Sequence, residues 1–246
     1  MPEPVRLHDI TAFKRALQNY RMSDHAEQVL KASRLVILSG IAGGGRNTTI
    51  NYLVKQFDYF FLVSDTTRPP KLRDGVMERS GINYHFRSEP DMLRDIQNGE
   101  FVEAEIIHNQ QVSGTSIREL ELANQTGHVT LHETEFGGVH TFAQFKPDVD
   151  IIGLLPPSYQ EWLRRLNARE VMSDLEFRNR LQTAEAVLTS MLQQDYFKFV
   201  INTSIKQCAD DIRRIVEAGV YDDEHKLAGT IVVQNLLIEV TRALAL

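Results

Sequence analysis

The stretch Leu35-Val36-Ile37-Leu38-Ser39-Gly40-Ile41-Ala42-Gly43-Gly44-Gly45-Arg46-Asn47-Thr48 constrains the fold of this chain more than any other. Its four leading apolar residues read as a short strand buried on both faces, as in a parallel sheet. A glycine-rich turn follows, and then Ile50, Leu53, Val54 and Phe57 recur at helical spacing. Strand, glycine loop and helix make a βα unit. Gly40 and Gly45 stand at the separation of the phosphate-binding pattern G-x-x-x-x-G-K-[ST]. Glycines suit that place because backbone amides must curl around phosphate oxygens where a Cβ would obstruct. The helix N-terminus behind them adds partial positive charge. The pattern is altered at its most chemical positions, with Arg46 for the lysine and Asn47 for the hydroxyl residue, Thr48 coming one step later. Taken alone, the loop reads either as a phosphate site or as a tight connection.

The alternation continues downstream. Residues 60–63 form a second strand candidate, and 89–98 a helix opened by Ser88, Pro90 and Asp91. Ser116-Ile117-Arg118-Glu119 reads as a capping box for a helix that stops near Gly127. Residues 128–133 and 150–155 are further strands. Ser158 to Glu161 caps the helix carrying Trp162, and Ser173 to Glu176 caps one that runs to about Gln194. A last strand over 199–202 and a last core helix over 208–218, closed by Gly219, complete the series. The spacing predicts an α/β fold, a parallel sheet of about five strands with helices on both faces.

Two segments stand outside this alternation. Residues 1–33 carry an apolar stripe of Ile10, Phe13, Leu17 and Tyr20, and residues 220–246 form a helix with a broad apolar face. Both are expected to pack onto the core; the alternative is a homo-oligomer interface or a partner groove. With 27 basic and 33 acidic residues the net charge is −6, so no global field recruits nucleic acid or an anionic membrane. One cysteine, Cys208, excludes an internal disulfide and a multi-cysteine zinc site. His128 and His132 lie on a strand candidate, where four residues span ~13 Å and cannot share one metal. No signal-peptide core precedes the first strand, and no run approaches the ~20 apolar residues of a membrane span. The expected compartment is the cytoplasm.

Further motifs follow the glycine loop in order: Ser64-Asp65-Thr66-Thr67-Arg68-Pro69-Pro70, Gly81-Ile82-Asn83-Tyr84-His85-Phe86, Glu100-Phe101-Val102-Glu103, and Gly114-Thr115. Later come Pro156-Pro157-Ser158, Arg165-Leu166 with Arg169, and Arg180-Leu181. This ordered set resembles the guanylate kinases from about Arg34 to about Gly219. The resemblance implies a P-loop nucleoside monophosphate kinase-like fold with a GMP-binding lobe near 67–126 and a lid near 169–176, residues 1–33 and 220–246 being extensions. It implies transfer of a phosphoryl group from ATP to GMP, with Mg²⁺ accompanying ATP. Gly40, Gly43, Gly44, Gly45, Arg46, Asn47 and Thr48 would hold ATP phosphates. Ser64, Arg68, Tyr84 and either Lys71 or Arg73 would hold the GMP phosphate, an insertion leaving the last choice open. Glu103 matches the acid that reads guanine, whose N1–H and N2–H₂ are paired donors, and Thr115 matches the hydroxyl beside it. Ser113 stands where a second phosphate-binding tyrosine is expected.

At the third strand the family's L-D-x-D-x-x-G becomes Leu131-His132-Glu133-Thr134-Glu135-Phe136-Gly137-Gly138, one residue longer. Glu133 is expected on GMP; Glu135, with Asn47 and Thr48, is expected near the metal, largely through water. Arg169 and Arg180 are the lid cations, closing on charge that develops in transfer. Arg164, Arg165 and Arg178 are expected to be solvated bystanders. Asn202 is expected beside adenine. The departures gather on the ATP side, since arginine's planar fork cannot occupy lysine's place. The alternative to an active kinase is therefore a weak or inactive relative that senses GMP or binds a protein.

Overall fold

In a computed structural model of the chain, residues 7–73, 75–134, 136–169 and 172–245 are described. The elements in chain order are α1 (Ile10–Gln18), α2 (Asp24–Ala32), β1 (Leu35–Ser39), α3 (Arg46–Phe57), β2 (Phe60–Phe61), β3 (Asp65–Thr66), β4 (Leu72–Arg73) and β5 (Val76–Met77). Then come β6 (His85–Phe86), α4 (Glu89–Gln97), β7 (Phe101–Ile107), β8 (Gln111–Ser116), α5 (Ile117–Thr126), β9 (Thr130–Glu133) and α6 (Phe136–Phe145). The chain continues through β10 (Asp150–Leu155), α7 (Tyr159–Arg169), α8 (Asp174–Gln193), β11 (Phe197–Ile201), α9 (Ile205–Ala218) and α10 (Asp223–Leu244).

The main sheet has the order β11-β10-β1-β9-β2. β1 pairs in parallel with β10, Ile37 opposite Ile151, and β10 in parallel with β11. All five residues of β1 are buried, as the unbroken apolar run requires. By density of contacts the chain forms two compact units.

One unit comprises residues 35–59, 131–139 and 148–246. Here α3 packs on α9, and α8 on α10, with both α9 and α10 against β11. Gly229 of α10 lies against the Phe199 ring, which itself stacks parallel to Phe197 at 6.3 Å. Although it holds no long unbroken apolar run, α10 is long and apolar enough on average to cross a membrane, the sole such helix among the described residues. Gly229, Val233, Leu236 and Val240 bury one side of it.

The other unit comprises residues 1–34, 60–130 and 140–147. Its sheet has the order β6-β3-β8-β7, with β7 and β8 antiparallel. The segment before β1 is packed: α1 lies on α4 and β7, and α2 on α5 and β7. Phe13 is fully buried with Met92, Ile96, Phe101 and Val112, an anchor worth about 2–3 kcal/mol. The expected capping box at α5 does not form. Ser116 still belongs to the ladder, opposite Phe101, and makes no side-chain cap. Glu119 turns instead to His85, Oε1 lying 2.6 Å from Nε2. At α8 the expected box does form, Ser173 and Glu176 bonding reciprocally.

Candidate nucleotide-binding half-sites

The glycine loop is held from behind by its carbonyls. Trp162 Nε1 on α7 donates to the Ala42 carbonyl at 2.6 Å. Asn202, just after β11, is buried and donates from Nδ2 to the Gly44 carbonyl at 2.9 Å. Arg165 Nη2 donates in turn to the Asn202 carbonyl at 2.8 Å, and its Nε to Glu161 at 2.8 Å. Gly45 ends the loop at φ +103°, where a Cβ would stand 2.2 Å from Asn202 Nδ2. No side chain caps α3, so its first-turn N–H groups are what the loop offers a ligand.

Asn202, expected beside adenine, commits one amide N–H to the Gly44 carbonyl. One expectation changes here. Arg165 is no bystander but the strut that fixes Asn202.

Arg46 begins α3 and pairs with Glu133 at 3.3 Å, both partly buried. Glu133, expected on GMP, thus stands beside the loop cation. Asn47 and Thr48 are exposed. Thr49 points inward, 3.6 Å from the Cys208 sulfur, and burial pushes that thiol up to about 11. Among the described residues no group of three His, Cys, Asp or Glu side chains could hold a metal ion. Glu135 lies outside the described residues. Arg169 closes α7, its side chain likewise outside them, as do residues 170 and 171 of the expected lid. Arg180 is exposed on α8, one turn beyond Glu176.

In the other unit, β7 and β8 position the expected base-reading pair. A register shift between Phe101 and Glu103 breaks the alternation, so Phe101 stays in the core while Glu103 pairs across to Thr115. Thr115 Oγ1 donates to Glu103 Oε1 at 2.7 Å. Burial raises the Glu103 carboxyl to about 7, helped by Glu105 and opposed by the Thr115 bonds. Glu103 lines a cavity of about 560 Å³ with Tyr20, Arg21, Met22, Thr141 and Phe145, within the range of small-ligand sites.

The expected phosphate cations follow β3 in the chain, Arg68 just past its end and Lys71 and Arg73 at the separate β4–β5 hairpin. Arg68 is buried, with Tyr84 4.7 Å and Phe86 5.6 Å from its guanidinium carbon. Its fork is engaged by Glu78, at 2.5 Å and 2.9 Å. Glu78 was not anticipated; nothing in the local pattern distinguishes it from the other charges of the β4–β5 insertion. It also accepts from the Lys71 backbone N–H at 3.0 Å, while the Lys71 side chain is exposed. The Arg73 side chain lies outside the described residues. Ser64 gives its carbonyl to the His85 N–H at 2.9 Å. Ser113, in the tyrosine's place, contacts Thr66 Oγ1 at 2.8 Å. Asp65 anchors β3 between Arg87 at 2.7 Å and Arg118 at 2.9 Å.

Comparison with known proteins gives one consistent result. A family model described as guanylate kinase matches residues 32–219. A guanylate kinase of Corynebacterium diphtheriae is 34% identical over 185 residues, 74% of this chain and 94% of that protein. Guanylate kinase 1 of Arabidopsis thaliana is 29% identical over 188 residues, 75% of this chain, which spans about half (47%) of that longer protein. The crystal structure of guanylate kinase from Anaplasma phagocytophilum superposes with a TM-score of 0.56 at 26% identity, covering 78% of this chain and 88% of that one.

Proposed function

Since the chain belongs to the guanylate kinase family, we propose that it transfers the γ-phosphoryl group of ATP to GMP, giving ADP and GDP. The observation that carries this reading is Glu103: a partly buried carboxylate, hydrogen-bonded by Thr115, that lines a cavity of small-ligand size. Ionised, it accepts from guanine N1–H and N2–H₂ together. AMP presents an acceptor at N1 and leaves the carboxylate unpaired, a mismatch worth ~1–3 kcal/mol. Arg68, kept in place by Glu78 and the two rings, Tyr84, Ser64 and either Lys71 or Arg73 hold the GMP phosphate. Residues 67–126 act as the GMP lobe and 169–176 as the lid, within a kinase domain over 34–219.

On the ATP side, the carbonyl-anchored loop directs N–H groups at the phosphates. Arg46 exchanges Glu133 for phosphate oxygens when ATP enters. An oxygen of the GMP phosphate bonds to the γ-phosphorus as the bond to the bridging oxygen of ADP breaks. The protein's part is positioning and neutralisation, with Arg169 and Arg180 as further cations. Mg²⁺ neutralises charge on the ATP phosphates when bound. Asn47 and Thr48 fit it as water-mediated or single ligands to an ion that arrives with ATP.

The binding-module alternative draws no support from the relatives. The deciding test is a coupled assay of GDP formation with saturating ATP, GMP and Mg²⁺. Turnover with GMP well above that with AMP is expected; no GDP formation refutes the assignment.

A further inference from the structure

The family match begins at residue 32, yet the cavity in front of Glu103 is walled in part by residues that precede it. Leu17, Tyr20, Arg21, Met22 and Glu27, from α1, α2 and the turn between them, line it together with Glu103 and Ala104 of β7. This turn is built into the sheet. The Tyr20 hydroxyl accepts from the Phe101 N–H at 2.9 Å and donates to the Phe101 carbonyl, capping β7 at its register shift. The Ser23 N–H donates to the Gly99 carbonyl at 3.0 Å, fixing the far side of the turn. Leu17 and Tyr20 pack against the buried cluster of Phe13, Met92 and Phe101. The residues between these anchors are therefore placed, not trailing.

Arg21 lies between them, exposed and lining the cavity that holds Glu103. The second acid lining the cavity, Glu27, pairs with Lys31 at 3.2 Å. The cavity is thus lined by the Glu103 carboxylate, by a carboxylate already paired with Lys31, and by the Arg21 guanidinium. Guanine has the matching polarity: donors at N1 and N2 on one edge, acceptors at O6 and N7 on the next. A guanidinium fork reads O6 and N7 together, as it does for guanine in nucleic acids.

Resting on the reading of Glu103 given above, we infer that Arg21 is a specificity-determining residue, donating to the O6/N7 edge of the guanine whose N1/N2 edge meets Glu103. The segment before the family match is then part of the substrate site. Adenine, with an amino group at position six, meets a second mismatch there.

The test is calorimetric binding of GMP and 7-deaza-GMP, which lacks the N7 acceptor, to the full-length wild type, Arg21→Ala and Glu103→Gln. Steady-state KM for ATP is measured alongside. Arg21 is exposed, so its replacement leaves the core intact, and the thermal midpoint checks this. Arg21→Ala is expected to weaken GMP about tenfold with KM for ATP unchanged. The wild type should bind 7-deaza-GMP about tenfold more weakly than GMP, and Arg21→Ala should bind both alike. Undiminished GMP affinity in Arg21→Ala, or a 7-deaza penalty that survives the substitution, overturns the inference. If Glu103→Gln still loses GMP, the reading of the base pocket stands without it. If neither variant loses GMP, both fail.

Discussion

Glu103→Gln should make the ligand-free protein more stable while weakening its hold on GMP. The carboxyl is buried and its pKa stands at about 7, against an ordinary 4.5. Between those values the folded protein binds a proton that the unfolded chain has released. Stability therefore falls as pH rises from about 4.5 through about 7, and the loss is complete above it. The gap is worth about 3 kcal/mol when both limits are spanned. Glutamine has the same shape, its carbonyl can accept from Thr115, and it carries no charge to desolvate. Urea denaturation of both proteins at a series of pH values from 4 to 8.5, chosen to bracket the titration, isolates the contribution as a difference, other groups cancelling. The two curves should meet near pH 4 and diverge to about 3 kcal/mol in favour of the variant by pH 8.5. GMP supplies the donors that ionised Glu103 lacks, so wild-type affinity for GMP should climb through pH 7 and then level, which the variant should not show. Parallel stability curves would mean that the carboxyl is not desolvated and that the account of this site is wrong.

If Arg46 neutralises the departing phosphoryl group as proposed, Arg46→Ala should cost about 3–4 kcal/mol of transition-state stabilisation, hundreds-fold in kcat. GMP binding, measured by calorimetry, should be nearly unchanged. Gly45→Ala forces a side chain into the left-handed region and against Asn202 Nδ2, at 2.2 Å. It should destabilise the protein by about 1–3 kcal/mol and raise KM for ATP much more than KM for GMP, as denaturation and initial-rate measurements will show.

The elements that were legible in the sequence are those with strong local signals. β1 announced itself as Leu35-Val36-Ile37-Leu38 because a strand covered on both faces needs no polar alternation. Likewise β10 was bounded by Pro156-Pro157, and Ser173 with Glu176 marked the start of α8. The GMP-lobe sheet was legible only as motifs. β3 and β6 are two residues each, and the β7–β8 turn takes its positive φ values at His108 and Asn109 without a glycine to flag it. Helix α6 escaped because it opens on Gly137-Gly138, poor helix formers. Gly138 is there for contact: a Cβ would lie 2.1 Å from Thr134 Oγ1. In the site, residue types were readable but their pairings were not. Glu78 on Arg68, Glu133 on Arg46 and Asn202 on Gly44 join residues 10, 87 and 158 positions apart. Such partners are chosen by the fold, and no local pattern encodes them.

The indole that braces the glycine loop belongs to the chain's only tryptophan. All tryptophan fluorescence from this protein therefore originates at one point, a fully buried ring whose N–H is bonded to the loop's own backbone. No engineered label is needed to watch that loop: the emission of Trp162 is a built-in optical reporter of its state, spectrally apart from the chain's tyrosines.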